Sequence, residues 1–135
     1  MAVLQGCPGI EVTIVSNGID LEEYPDEEVQ FNNPKFFAPL ERRSMSYIEC
    51  TSDAEFGIKW KLTAEYNTYN EHTHLGFWAH VDGQGIGGIV TRADTGRFWS
   101  FVHAEALSRI NDNELASRKL KFCSIKKGLL FAISV

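Results

Sequence analysis

Nothing in this chain marks it for a membrane, for a phosphate-rich partner or for a covalently stapled scaffold. It contains no apolar run of about 18 residues, the length a spanning helix needs. It lacks a basic surplus: 13 Lys and Arg against 18 Asp and Glu leave a net charge of −5. General nucleic-acid binders need the opposite balance to meet phosphates. Cysteine is scarce, with Cys7, Cys50 and Cys123 at wide spacing. An odd, scattered set is neither a disulfide framework nor a zinc pattern. There is no basic start leading into an apolar leader, and no Asn-x-Ser/Thr acceptor. These absences predict an intracellular location, cytoplasmic or nuclear, with no nucleic-acid and no membrane partner.

What is present suits a folded domain. A chain of 135 residues is expected to form one domain over 1–135, burying roughly two-thirds of its unfolded surface. Aromatic residues make up 12%, including Trp60, Trp78 and Trp99, and such residues suit pleated, half-buried surfaces. Charge is uneven. Asp20, Glu22, Glu23, Asp26, Glu27 and Glu28 crowd one segment, and Arg118, Lys119, Lys121, Lys126 and Lys127 another. These read as solvated faces, the alternative being contact with an oppositely charged partner.

Alternation dominates the chain. Ile10, Val12 and Ile14 share a face, and Asn17-Gly18 then supplies the two positive φ angles of a type I′ turn. That turn pairs Ser16 with Ile19 and Ile14 with Leu21, which places Ile19 and Leu21 on the apolar face. From about 22 to 39 the chain reads as a long acidic loop broken by Pro25, Pro34 and Pro39. A strand is predicted over 44–50. The cleanest strand is 55–62, with Phe56, Ile58, Trp60 and Leu62 inward and Glu55, Gly57, Lys59 and Lys61 outward. Residues 73–81 alternate again, with Leu75, Phe77, Ala79 and Val81 inward. Asp82-Gly83 opens a glycine-rich turn before a short strand over 86–91. Residues 97–103 read as a strand covered on both faces, and 104–117 as a loop with at most a short helix. Strands over 119–125 and 129–135 complete the pattern.

About eight short strands without alternating helices predict an all-β fold, an antiparallel β-sandwich or jelly-roll-like barrel. Three blocks in order also carry a resemblance: Gly9-Ile-Glu-Val-Thr-Ile-Val-Ser-Asn-Gly18 leading to Glu22-Glu-Tyr-Pro-Asp26, then Tyr47-Ile-Glu-Cys-Thr-Ser-Asp-Ala-Glu-Phe56, then Val81-Asp-Gly83 with the later Arg118-Lys-Leu-Lys-Phe122. Together they resemble a fungal family catalogued as a domain of unknown function, number 7918. The resemblance implies a single β-rich domain and brings no activity, substrate or catalytic residue. The sequence departs from the family pattern at Gly128-Leu-Leu-Phe-Ala-Ile-Ser-Val135, where members carry a polar linker before the last strand.

No catalytic motif is complete. Gly83-x-Gly85-x-Gly87-Gly88 has the spacing of a phosphate-cradling loop, but Ile89-Val90-Thr91 follows where a helix N-terminus is required. It reads as a flexible β-turn. No Gly-x-Ser-x-Gly elbow exists, and nothing marks a cysteine as activated. The densest constellation is His72, His74 and His80, which fall with Trp78 on one face of a strand. His74 and His80 lie six residues apart, about 20 Å along a strand, too far to share a metal. His72 and His74 are closer, yet no third ligand is placed beside them. No metal, no cofactor and no catalytic residue is therefore expected. The face reads as a solvated outer surface, with the Trp78 ring covered by the acidic loop or a neighbouring sheet. Were it exposed, Trp78, with Tyr66 and Tyr69, would be suited to anchor a protein or stack on a sugar.

The sequence thus favours a non-enzymatic binding or protein-interaction module whose candidate ligand surface is His72, His74, Trp78 and His80. The partner expected is a protein, with carbohydrate as an alternative. A metal- or acid-base-dependent enzyme built on His72, His74, Glu71 and His103 is the second alternative.

Overall fold

Branched and aromatic residues at every second position build Ile10–Ser16, Phe56–Leu62 and His74–Val81, three of the twelve short strands among the described residues. The computed structural model describes residues 2–3, 8–25, 43–63, 65–66, 74–92, 99–111, 114–123 and 131–134. In chain order the strands are β1 (Ala2–Val3), β2 (Ile10–Ser16), β3 (Ile19–Asp20), β4 (Glu23–Pro25), β5 (Arg43–Ile48) and β6 (Phe56–Leu62). They continue as β7 (His74–Val81), β8 (Gln84–Arg92), β9 (Trp99–His103), β10 (Glu105–Asn111), β11 (Glu114–Lys119) and β12 (Phe131–Ser134). Every pairing is antiparallel, and among the described residues there is no helix. The all-β, sandwich-like fold expected from the sequence is what forms, and no barrel closes among the described strands.

The main sheet runs β1-β2-β6-β9, with β3 added to β2. β2 and β6 pair from Ile10↔Leu62 to Ser16↔Phe56. That register puts Ile10, Val12, Ile14, Phe56, Ile58, Trp60 and Leu62 on one buried face. The β7–β8 hairpin lies across this face. Phe77 on β7 meets Trp60 with ring centroids 5.2 Å apart and stacks on Trp99 at 5.6 Å. Leu120 and Phe122 close one end of the core, where Phe122 stacks on Phe56 at 4.4 Å. A third layer of pairing, β12-β5-β4, and the separate β10–β11 hairpin flank these two.

The first hairpin forms in the expected register, Ser16↔Ile19, and the Leu21 N–H donates to the Ile14 carbonyl at 2.8 Å. Asn17 and Gly18 have φ of 51° and 77°, as a type I′ turn requires. Leu21 packs against the core, but Ile19 is 68% exposed. Its pairing with Ser16 puts it at the end of β2, where it stays exposed.

Four further expectations are corrected. The acidic stretch is not wholly loop: Glu23–Pro25 pairs with β5, from Glu23↔Ile48 to Pro25↔Ser46. Residues 26–42 lie outside the described residues. The stretch from 104 to 117 is the β10–β11 hairpin rather than a loop or helix. β9 is covered on one face, since Ser100 and Val102 are exposed while Trp99, Phe101 and His103 are half-buried. Finally, Gly85, Gly87 and Gly88 belong to β8, not to a flexible turn.

Candidate functional site

The β7–β8 hairpin has an inner face that fills the core and an outer face that holds the candidate site. β7 alternates strictly. Phe77 and Ala79 are buried, whereas His74, Trp78 and His80 are exposed. The expected shared face for these three side chains therefore exists. His72 lies outside the described residues, as do Tyr69 and Glu71. Tyr66 packs half-buried against the core and takes no part in this face.

Among the described residues no loop or sheet covers Trp78, which is 62% exposed; residues 26–42 of the acidic stretch lie outside them. Its indole lies down on the hairpin. A Cβ placed on Gly76 would sit 2.1 Å from Cη2 and 2.2 Å from Cζ3 of Trp78. A Cβ on Gly88, the cross-strand partner of Trp78, would sit 2.7 Å from Cδ1 and 2.5 Å from the Phe77 carbonyl. The ring thus spans two glycines, one on each strand, and no other residue type leaves room for it there. Mid-strand glycine costs roughly 0.5–1 kcal/mol relative to alanine, so the chain gives up local stability at two positions to seat one ring. The His80 imidazole lies nearby, with Nε2 3.5 Å from where a Cβ on Gly85 would be, an ordinary contact that does not require glycine. Val90, opposite Gly76, adds an apolar side chain that is 61% exposed.

A β-bulge produces this alignment. Ala79 pairs with Gly87 and His80 with Gly85, so Ile86 is the extra residue on β8. Ile86 turns into the core. Gly87, with φ of 132°, leaves space for the His103 ring, whose Cε1 would be 2.9 Å from any Cβ at that position. Beyond the bulge the register is shifted by one, bringing Gly88 opposite Trp78.

His103 consequently belongs to the interior. It meets Phe101 edge-on at 6.2 Å, and its Nε2 is buried with no hydrogen-bond partner among the described residues. His74 and His80 stand on the other side of the hairpin, so the layer of β7 and β8 separates them from His103. The constellation of His74 with His103 considered for an enzyme is not brought together. Among the described residues no three His, Cys, Asp or Glu side chains are grouped to hold a metal ion.

Sequence reasoning named Trp78, His74 and His80 but missed Gly76, Gly88 and Val90. The available signal was the glycine content of β8 beside an aromatic, out-facing residue of β7. The seat lies inside the part of the chain that matches a known family. No curated protein and no solved structure matches. A family model described as a domain of unknown function, DUF7918, matches residues 9–128, and the chain belongs to that family.

Proposed function

We propose that this chain is a non-enzymatic binding module whose contact surface is the outer face of the β7–β8 hairpin. The observation that carries this reading is the seat of Trp78. An indole that is 62% exposed while resting on two glycines keeps one π-face on the backbone and presents the other to solvent. Large exposed aromatics are the residues that most often dominate binding energy. The flanking His74 and His80 supply polar groups along the same strand face, as expected for an aromatic centre with a polar rim.

The test compares wild type with Trp78→Ala and Trp78→Tyr, each immobilised and exposed to native extract. The expected result is a component retained by wild type, lost by the alanine variant and partly recovered by tyrosine. Equal retention by all three would overturn the assignment of this face.

A further inference from the structure

We infer that the ligand of this face is a neutral glycan, with one pyranose ring stacking on the open face of Trp78. The inference rests on the binding reading above and names its ligand class. Three observations narrow the chemistry.

The first is posture. An anchor residue that fills a pocket on a protein partner stands away from its own surface. Trp78 lies flat, with its six-membered ring over Gly76 and its five-membered ring at Gly88. It offers a plane, not a knob. Gly76 and Gly88 add no side chain around it, and at 62% exposure the ring is open to a planar partner among the described residues.

The second is charge. The outward positions of the hairpin, taken as cross-strand pairs, are His74–Arg92, Gly76–Val90, Trp78–Gly88 and His80–Gly85. None is a carboxylate. An organic cation over the indole would gain the quadrupole attraction but find no counter-charge among these described pairs. A nucleobase could also stack, yet the strand that carries it is polyanionic and the chain has a net charge of −5. A pyranose needs neither compensation. Its axial C–H groups meet the negative π-face, and its equatorial hydroxyls point sideways.

The third is the neighbour. His80 lies two residues along the same face, roughly 6.6 Å by the strand rise. Its imidazole rests over Gly85 with Nε2 at 3.5 Å from the Cβ position. That places a group able to donate or accept a hydrogen bond at the level where the sugar's ring hydroxyls, or the next sugar along the chain, would lie.

The experiment uses the intrinsic fluorescence of the full chain. Trp60 is 3% exposed and Trp99 half-buried, so a blue shift on ligand addition reports Trp78. The probes are cellohexaose, laminarihexaose, chitohexaose and mannohexaose, with a single-stranded oligothymidine as the competing chemistry. At least one saccharide is expected to give a saturable shift with Kd below about 1 mM. In Trp78→Ala, which removes the reporter, affinity is read by titration calorimetry beside wild type and should fall about tenfold or more, by about 1.4 kcal/mol. Gly76→Ala keeps the tryptophan but lifts it off the strand, and should weaken the same saccharide while leaving the unfolding midpoint near wild type. Absence of saturation with all four saccharides, binding unchanged in Trp78→Ala, or binding of the oligothymidine instead would overturn the glycan assignment. If no saccharide binds while extract retention still depends on Trp78, the ligand class is wrong and the contact surface stands. If neither depends on Trp78, both are wrong.

Discussion

The two outer hairpins, β7–β8 and β10–β11, have the same antiparallel construction and opposite relations to the core. β7–β8 buries Phe77, Ala79 and Ile86 and keeps its other face for Trp78 and His80. β10–β11 presents exposed residues along nearly all of β11, and Leu115 is 66% exposed. β7–β8 is tied to the core by Phe77, Ala79 and Ile86; in β10–β11 Ala106 packs against the core, while the β11 side chains other than Ala116 face solvent. An isolated two-stranded hairpin is marginal in water. The anchor for β10–β11 is accordingly next door: Leu120 N–H donates to the Ala104 carbonyl at 3.0 Å, and Phe56 N–H donates to the Leu120 carbonyl at 3.0 Å. The hairpin with the packed floor is the one that seats Trp78, the support that positioning a stacking ring would demand.

The comparison breaks most visibly at the aromatic contact beneath β7. Trp60→Ala and Phe77→Ala each remove one ring of the pair at 5.2 Å and should cost about 3–5 kcal/mol. Leu115→Ala on β11 should change stability by less than about 0.5 kcal/mol. Urea unfolding at neutral pH measures all three. A costly Leu115 together with a cheap Phe77 would reverse the roles of the two hairpins.

Those relations to the core explain what the sequence disclosed. Alternation arises where one face is more buried than the other, which is why the apolar faces of β2, β6 and β7 were legible; Thr13 and Gly57, read as outward, are themselves buried. The Asn17-Gly18 turn added register, because few other dipeptides accept φ of 51° and 77° in succession. β10–β11 gave no such signal: Leu115 is in solvent, and the polar residues of 105–119 interrupt any apolar period in the sequence. β4 was hidden for a different reason. Glu23-Tyr24-Pro25 has poor strand propensity and is a strand because β5 supplies its partner. For the candidate site, period 2 placed His74, Trp78 and His80 on one face, but neither exposure nor seating could be read. Counting back from the Asp82-Gly83 turn without a bulge pairs Trp78 with Gly87. The extra Ile86 moves that partner to Gly88, and the bulge is set by how Ile86 and His103 pack, which is tertiary information.

The bulge itself gives a smaller and sharper test. Gly87→Ala forces a side chain onto a φ of 132° and within 2.9 Å of His103 Cε1. Backbone strain of this kind costs about 1–3 kcal/mol, before any shift of the imidazole. Gly85→Ala, two residues away on the outer face, meets nothing closer than His80 at 3.5 Å and should stay within about 0.5 kcal/mol of wild type. Equal effects at the two glycines would show that the bulge does not dictate the register beneath Trp78.

The smallest expected effect lies where the β10–β11 hairpin returns to the core. Lys119, the last residue of β11, donates to the Glu55 carboxylate at 2.8 Å, beside the Glu55–Lys121 bridge. The hydrogen bond from Lys119 holds the Glu55 carboxyl below its usual range; loss of hydration opposes it, and the charges of Lys119 and then Lys121 add to the lowering. The Lys119 ammonium is correspondingly raised, chiefly through its hydrogen bond to Glu55. For Glu55 the folded value is the lower one, so its contribution is present above the unfolded carboxyl range and is lost as pH falls through the folded value. For Lys119 the folded value is the higher one, so its share is present below the unfolded ammonium range and is lost as pH rises through the folded value. The link is complete between those two ranges and weakens at both ends. Both side chains are well exposed, so salt should screen the link strongly. Carbon-detected NMR titration of the Glu55 carboxyl checks the cause. In Lys119→Met the Glu55 midpoint should move up toward the ordinary carboxylate range, and added salt should move the wild-type midpoint the same way. A Glu55 midpoint identical in wild type and Lys119→Met would show that the end of β11 is not tied to the core through this pair.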